Sequence, residues 1–315
     1  SGATTIPISG KTIPAVYNDA RLSSYVPGQQ QFDYPIHRAK VVSGSRTVTV
    51  APGAQTGLFK TVGRLDPHSY RPNEFFANNW VYEGLVAYGA NGSVVPALAS
   101  SWTSSTDSTG AETIRFTLRS GVTFHDGAAL TCAVVKLNFD HCMAEPLRGP
   151  WWHGWYGLPG AIANYTCDGE DFVLRANAPY YPLLQELTYI RPLRILSPNA
   201  FVDGMDTSPI YNNSCPTGWG TIDSNDDYPS LTCAGILYPS GTGPFKFVSR
   251  TTNSDGNDDL VVFASHSDYW GGAPDISFLN IVRYDTAADV KAALISGELD
   301  AVLGAGVLES ADVQA

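Results

Sequence analysis

The sequence predicts a mixed α/β (α+β) chain, and three observations carry that reading. Stretches such as RTVTVA at 46–51 and DDLVVFASH at 258–266 alternate with the period of half-buried strands. They are interspersed with stretches of helical period, such as NEFFANNWVYEGLVAYG at 73–89 and TAADVKAALISGEL at 286–299. At 315 residues the chain is long for one core and suits two lobes, or one lobe with insertions.

Residues 1–45 are rich in Pro, Gly, Ser and Gln without a sustained period, and read as an extended N-terminal arm. Regular order is expected from Arg46. In 73–89 the apolar residues Phe75, Phe76, Trp80, Val81 and Leu85 recur at helical spacing. ETIRFTLRSGVTFHDG at 112–127 alternates as two short strands around RSG, and Thr131 is placed to cap the helix CAVVKLNFDHCM. EDFVLRANAP at 170–179 is a strand and YYPLLQEL at 180–187 a short helix. Residues 203–240 form an irregular insert. GTGPFKFVSR, DDLVVFASH and ISFLNIVRY follow as strands, then a helix stopped by Gly297, and DAVLG as a last strand.

A net charge of −11 with only 19 basic residues argues against nucleic acid or an anionic membrane as partner. Small molecules and proteins remain. The first residues lack a basic head and an apolar h-region, so the chain reads as processed or cut. Five cysteines without a CxxC pair make a zinc or redox site a poor reading. Cys215 and Cys233 bracket a polar loop of the kind that a disulfide staples. Cys132 and Cys142 lie on one predicted helix, roughly 15 Å apart at 1.5 Å per residue, so they cannot pair with each other; either could pair with Cys167. Asn91, Asn164 and Asn212 each open a glycosylation triplet, which is permissive only.

LDPHSY at 65–70, VYEGLVAYGANGSVVPALASSW at 81–102, FTLRSGVTFHDGAALT at 116–131, GTGPFKF at 241–247 and DYWGGAPDISFLNIVRY at 268–284 come in an order with family-like spacing. Over about 46–304 the chain resembles the extracytoplasmic solute-binding proteins of peptide and nickel ABC importers, family 5. YYPLLQELTYIRPLRILSP and the Arg148–Trp151 segment are most similar to the nickel-binding branch. The resemblance implies a two-lobed clamp: lobe one with an extra subdomain over 46–245, including the insert 203–240, then the crossover and the start of lobe two over 246–315. It implies location in the periplasm, at the cell surface or outside the cell. Family members continue well past GELDAVLG, so most of lobe two is expected to be missing here or supplied by a second chain.

The stretch YYPLLQELTYIRPLRIL carries Arg191 and Arg194 in an apolar context, where a guanidinium needs an anionic partner. The resemblance makes Arg191 and Arg148 receptors for ligand carboxylates, with Trp151 packing on the ligand and Tyr70 near it. A guanidinium fork matches a carboxylate, and an aromatic wall suits an uncharged chelate backbone or a peptide side chain. Against this stands an internal ion pair with Glu186 or Asp140, and a merely structural role for the tryptophans. Arg194 is expected to be structural and His68 to brace its loop. The histidines show no metal-ligand spacing, and in the nickel-binding relatives the direct protein ligand lies in lobe two, so no intrinsic cofactor is expected. No GxSxG, HExxH, P-loop or GxGxxG motif suggests an enzyme. The expected function is capture of a small carboxylate-bearing ligand, a metal chelate such as a nickel complex or a short peptide, for an ABC permease. The alternative is an interaction, sensory or structural ectodomain of the same fold in a larger assembly.

Overall fold

The computed structural model describes residues 15–28, 33–54, 57–63, 65, 67–68, 75–89, 91–143, 160–189, 193–201, 221–223, 230–233, 238–304 and 307–308. Along the chain come β1 (Ala15–Tyr17), β2 (Leu22–Ser23), β3 (Lys40–Val41), β4 (Thr47–Ala54), β5 (Gly57–Leu58) and α1 (Phe75–Val81). They are followed by β6 (Val86–Tyr88), β7 (Val94–Pro96), β8 (Ala99–Thr106), β9 (Glu112–Leu118), α2 (Cys132–Met143), β10 (Ile162–Asp168), β11 (Asp171–Ala176) and α3 (Leu183–Glu186). The last elements are β12 (Thr221–Asp223), β13 (Ser230–Cys233), β14 (Phe245–Thr252), β15 (Asp258–Ser265), β16 (Phe278–Val282), α4 (Ala287–Ser296) and β17 (Ala301–Leu303).

The main sheet has the order β1-β17-β4-β16-β15-β14, with β5 folded back on β4. Central β4 runs parallel to both β16 and β17; its other neighbours in the sheet pair antiparallel. The parallel pairing of β16 and β17 with β4 needs a crossover, which α4 supplies. Thr286 caps this helix by accepting from the Asp289 N–H, and Gly297 ends it in the left-handed region at φ 81°. One face of the sheet buries Val48, Val50, Phe263, Leu279 and Ile281 under α1, while α4 covers the other through Val290 and Ala293. Trp80 sits at the centre of the first core, with Phe263 and Phe245 at 5.7 and 6.4 Å between ring centres. Enclosing such a side chain contributes about 1.5–3 kcal/mol.

The chain between β5 and β14 builds a second layer, the antiparallel sheet β10-β11-β9-β8 with α2 packed on it. Its own core gathers Ile114, Phe116, Phe139, Phe172 and Leu174. Thr131 caps α2 as predicted, its hydroxyl accepting from the Val134 N–H at 3.3 Å. The return to the main sheet runs through GTGPF, where glycine is required by space: a Cβ at Gly241 would lie 2.0 Å from the Val81 carbonyl oxygen, and one at Gly243 2.5 Å from that of Trp80.

Three findings differ from the sequence reading. Among the described residues regular structure is already present at Ala15, ahead of Arg46. β1 extends the main sheet, Arg21 pairs with Asp300 at 2.9 Å, and Leu22, Tyr34 and Ile36 are buried in the first core. Prolines interrupt any period there, yet single apolar side chains still reach the core. Second, the helix predicted through residue 89 stops at Val81, because Val86–Tyr88 and Val94–Pro96 pair as a hairpin. Third, β8, β10, β12 and β13 were not expected as strands, and the second strand expected after RSG is reduced to a bridge between Thr123 and Ala129; β12 and β13 form a small ribbon within the insert.

Cys132 is the cysteine that pairs with Cys167. The bridge joins the first turn of α2 to β10 and closes a separation of 35 residues. A C132A/C167A double variant is expected to lose about 2–4 kcal/mol of unfolding free energy. Urea titration at constant m-value measures this, and an unchanged midpoint would refute it. The bridge expected between Cys215 and Cys233 has one end, Cys215, outside the described residues.

Candidate functional site

Arg191, Arg148, Trp151 and Tyr70 lie outside the described residues; the nearest described residues are His68 before Tyr70, Met143 before Arg148 and Trp151, and Tyr189 and Leu193 around Arg191. Two residues before Tyr70, His68 is buried. Its Nε2–H donates to the carbonyl oxygen of Arg194 at 2.9 Å, three residues past Arg191. Its Nδ1 lies 2.7 Å from Nδ1 of His141, so the two rings share one hydrogen bond. His141 is buried near the end of α2, which leads into the segment carrying Arg148 and Trp151. Phe201 stacks on His68 at 6.3 Å and meets His141 edge-on at 5.0 Å. One buried node therefore joins a residue two before Tyr70, a residue three past Arg191 and the end of the helix that precedes Arg148 and Trp151 in sequence. The bracing role expected of His68 is what this geometry gives. His141 was not singled out, because 73 residues separate the rings and no local pattern announces such a pair.

Backbone bonds hold the Arg191 segment from two further sides. The Ile195 N–H donates to the Glu83 carbonyl at 2.9 Å, and the Asn138 side chain both accepts from the Leu196 N–H and donates to its carbonyl, each at 2.8 Å. Leu193, Ile195 and Leu196 are buried. Arg194 is interior, its Nη2 donating to the Thr188 carbonyl at 3.1 Å, as a structural arginine should. Asp140, weighed as an internal partner for the arginines, accepts from Lys136 at 2.7 Å and from the Tyr165 hydroxyl at 3.0 Å.

Glu83 organises the neighbouring wall. Its carboxylate is enclosed and accepts from the Tyr269 hydroxyl at 2.9 Å, and from the Trp270 indole and the Thr242 hydroxyl at 2.8 Å each. Burial pushes its pKa above the ordinary carboxylate range, and these three donors hold it down. Arg119 lies over the Trp270 ring at 4.0 Å. The signal in the sequence was a lone acid in the apolar run WVYEGLV. His125 donates from Nε2 to the Gly243 carbonyl at 2.9 Å, and burial lowers its pKa to about 3, so it braces the wall as a neutral ring. Among the described residues no three His, Cys, Asp or Glu side chains converge as metal ligands.

The profile of the bacterial extracellular solute-binding proteins, family 5, matches residues 93–315. The chain belongs to that family. The family is one of binding proteins rather than enzymes, and an extracellular one. The nickel-binding periplasmic protein of Escherichia coli (strain K12) is 32% identical over 246 residues, which cover 77% of this chain and 39% of that protein. The structure of NikA from Brucella suis in complex with Fe(III)-EDTA is similar at a TM-score of 0.61 and 29% identity, covering 80% of this chain and 42% of that one. The periplasmic binding protein DppA from Helicobacter pylori, solved with the peptide STSA, shares the fold at a TM-score of 0.59 and 22% identity, with 80% and 45% covered. The fold is thus the mixed α/β fold of periplasmic binding proteins, and this family 5 chain spans about two fifths of the length of its relatives.

Proposed function

We propose that the protein captures a small carboxylate-bearing ligand for an ABC-type importer, with a metal chelate as the first ligand class and a short peptide as the second. The observation that supports this reading is the node of His68, His141 and Arg194, which joins described residues close in sequence to Tyr70 and Arg191 to the helix that precedes Arg148 and Trp151. Two similar proteins add to it: one is named for nickel binding and one was solved with an iron chelate whose chelator is a polycarboxylate. In this reading Arg191 and Arg148 meet the ligand's carboxylates, Trp151 and Tyr70 pack on its body, and closure against a second lobe removes it from water. Metal enters as cargo, held by its chelator. Lobe one would then run past both expected bounds, 46 and 245, because β1 and β14–β17 pair into the same sheet as β4.

Native mass spectrometry of the isolated protein, with metal analysis of the same sample, tests this. A small acidic molecule released on denaturation, with or without nickel, cobalt or iron, is the expected result. A chain without small ligand but fully occupied by a protein partner would overturn it in favour of an interaction module.

A further inference from the structure

Two imidazoles that share one acceptor hold the return from the second layer to the main sheet. The Gly243 carbonyl oxygen, which can only accept, takes the Nε2–H of His125 at 2.9 Å and the Nδ1–H of His266 at 3.2 Å. His125 follows β9 in the loop that leads to α2, and His266 follows β15 of the main sheet, so the shared oxygen joins the two layers. The rings meet edge-on at 4.9 Å between centres. Backbone bonds complete the junction: the His125 N–H donates to the Gly241 carbonyl at 2.9 Å, and the His266 N–H to that of Pro244 at 2.8 Å. The remaining ring nitrogen of His125, Nδ1, accepts from the Gly241 N–H at 3.4 Å. Both nitrogens of that ring are committed in its neutral form, and a second proton would set N–H against N–H. Lys246 on β14 donates to the His125 carbonyl at 3.4 Å and opposes a charge on either ring. Asp126, exposed and bonded by the Tyr238 hydroxyl at 3.2 Å, favours a charge on His125, and Asp268 one on His266. Tyr269 faces His266 at 6.5 Å, and its hydroxyl is already given to Glu83. Burial tells against both charges: His266 is 1% exposed, while His125 is half-buried and so within reach of solvent protons.

We propose that this junction is an acid-operated clasp, which locks the second layer to the main sheet while both rings are neutral and opens locally when the surroundings turn acidic. The proton acts here because two imidazoliums beside an ammonium replace two neutral donors at one oxygen. The sign follows from linkage: a histidine whose folded pKa lies below the ordinary value of 6.5 contributes fully above that value, and the contribution is lost as pH falls through the window beneath it. Opening also slackens the Glu83 wall, since Thr242, next to Gly243, holds the Glu83 carboxylate at 2.8 Å. The clasp is independent of the ligand reading, since none of its residues is among the four cleft candidates.

Hydrogen exchange of the whole chain, read by mass spectrometry and corrected for the intrinsic pH dependence of amide exchange, tests the proposal. From about pH 7.5 to about pH 4.5, peptides that cover the His125 loop and the Gly241–Phe245 return should lose protection roughly tenfold to a hundredfold, while those from β4 and β16 keep theirs. His125→Gln keeps a donor in place of Nε2 and His266→Asn one in place of Nδ1, and neither titrates, so the double variant should hold its junction protection at the lower pH. If that variant misfolds, the comparison within the wild type decides. Unchanged protection at the junction of the wild type, an equal loss in the junction and the main sheet, or a wild-type loss in the folded double variant would each overturn the clasp.

Discussion

Replacing Glu83 with alanine is expected to lower the free energy of unfolding by about 3–5 kcal/mol, the usual cost of removing one partner from a buried charged network. The carboxylate is fully enclosed and accepts from Thr242, Tyr269 and Trp270. Truncation leaves three donors without an acceptor, each worth about 1–3 kcal/mol of desolvation when left unmade, although the three are coupled and do not add. It also withdraws a negative charge that acts on buried Arg194. Glu83→Gln keeps one acceptor oxygen but turns an amide N–H₂ towards a donor, so a loss of about half that size is expected. Equilibrium urea unfolding at constant m-value reads both, and a change below about 1 kcal/mol in the alanine variant would rule the network out as a stabilising element. The direction of the pKa shift adds a second readout. A carboxyl whose folded pKa is raised binds its proton more tightly when folded. Its contribution is therefore full below the unfolded value and is lost as pH rises through the folded one. Against Glu83→Gln, which does not titrate, the wild type should lose stability more steeply as pH rises above the ordinary carboxylate range.

What was legible in the sequence is what local physics fixes. The caps at Thr131 and Thr286 and the stop at Gly297 could be read because capping depends on residues three or four apart. Strands β4, β15 and β16 could be read because alternate burial imposes a period of two. Residues 15–45 could not, since Tyr34 and Ile36 are buried one by one from an irregular backbone. The choice between Cys132 and Cys142 was open for the same kind of reason. It is settled by the β10–β11 hairpin, whose Glu170 accepts from the Cys132 N–H at 3.2 Å and so seats the start of α2 beside Cys167. At the candidate site, residue types and the family likeness pointed to Arg191 and Arg148. The histidine pair and Glu83, which hold the surrounding residues, act through hydrogen bonds 73 to 187 residues apart in sequence, beyond any motif.

Arg191→Ala is expected to weaken capture of Fe(III)-EDTA, the chelate carried by the Brucella suis relative, by about 2–5 kcal/mol, roughly thirtyfold to several thousandfold. On the proposed reading the guanidinium meets a ligand carboxylate inside a closing cleft, where water is excluded and the interaction is poorly screened. Arg191→Lys keeps the charge but not the planar fork, and should recover only part of the loss. The substitution is suited to the test because the segment is anchored by other residues: the Arg194 carbonyl by His68, the Ile195 N–H by Glu83, and both backbone groups of Leu196 by Asn138. The loop should therefore keep its path, and an affinity change would report the side chain rather than a collapsed backbone. Calorimetry gives the affinity, and a matched urea midpoint confirms the fold. If Arg191→Ala binds as tightly as the wild type, capture by that guanidinium is wrong and the arginine belongs to an internal pair; if affinity falls while stability holds, the charge it faces arrives with the ligand.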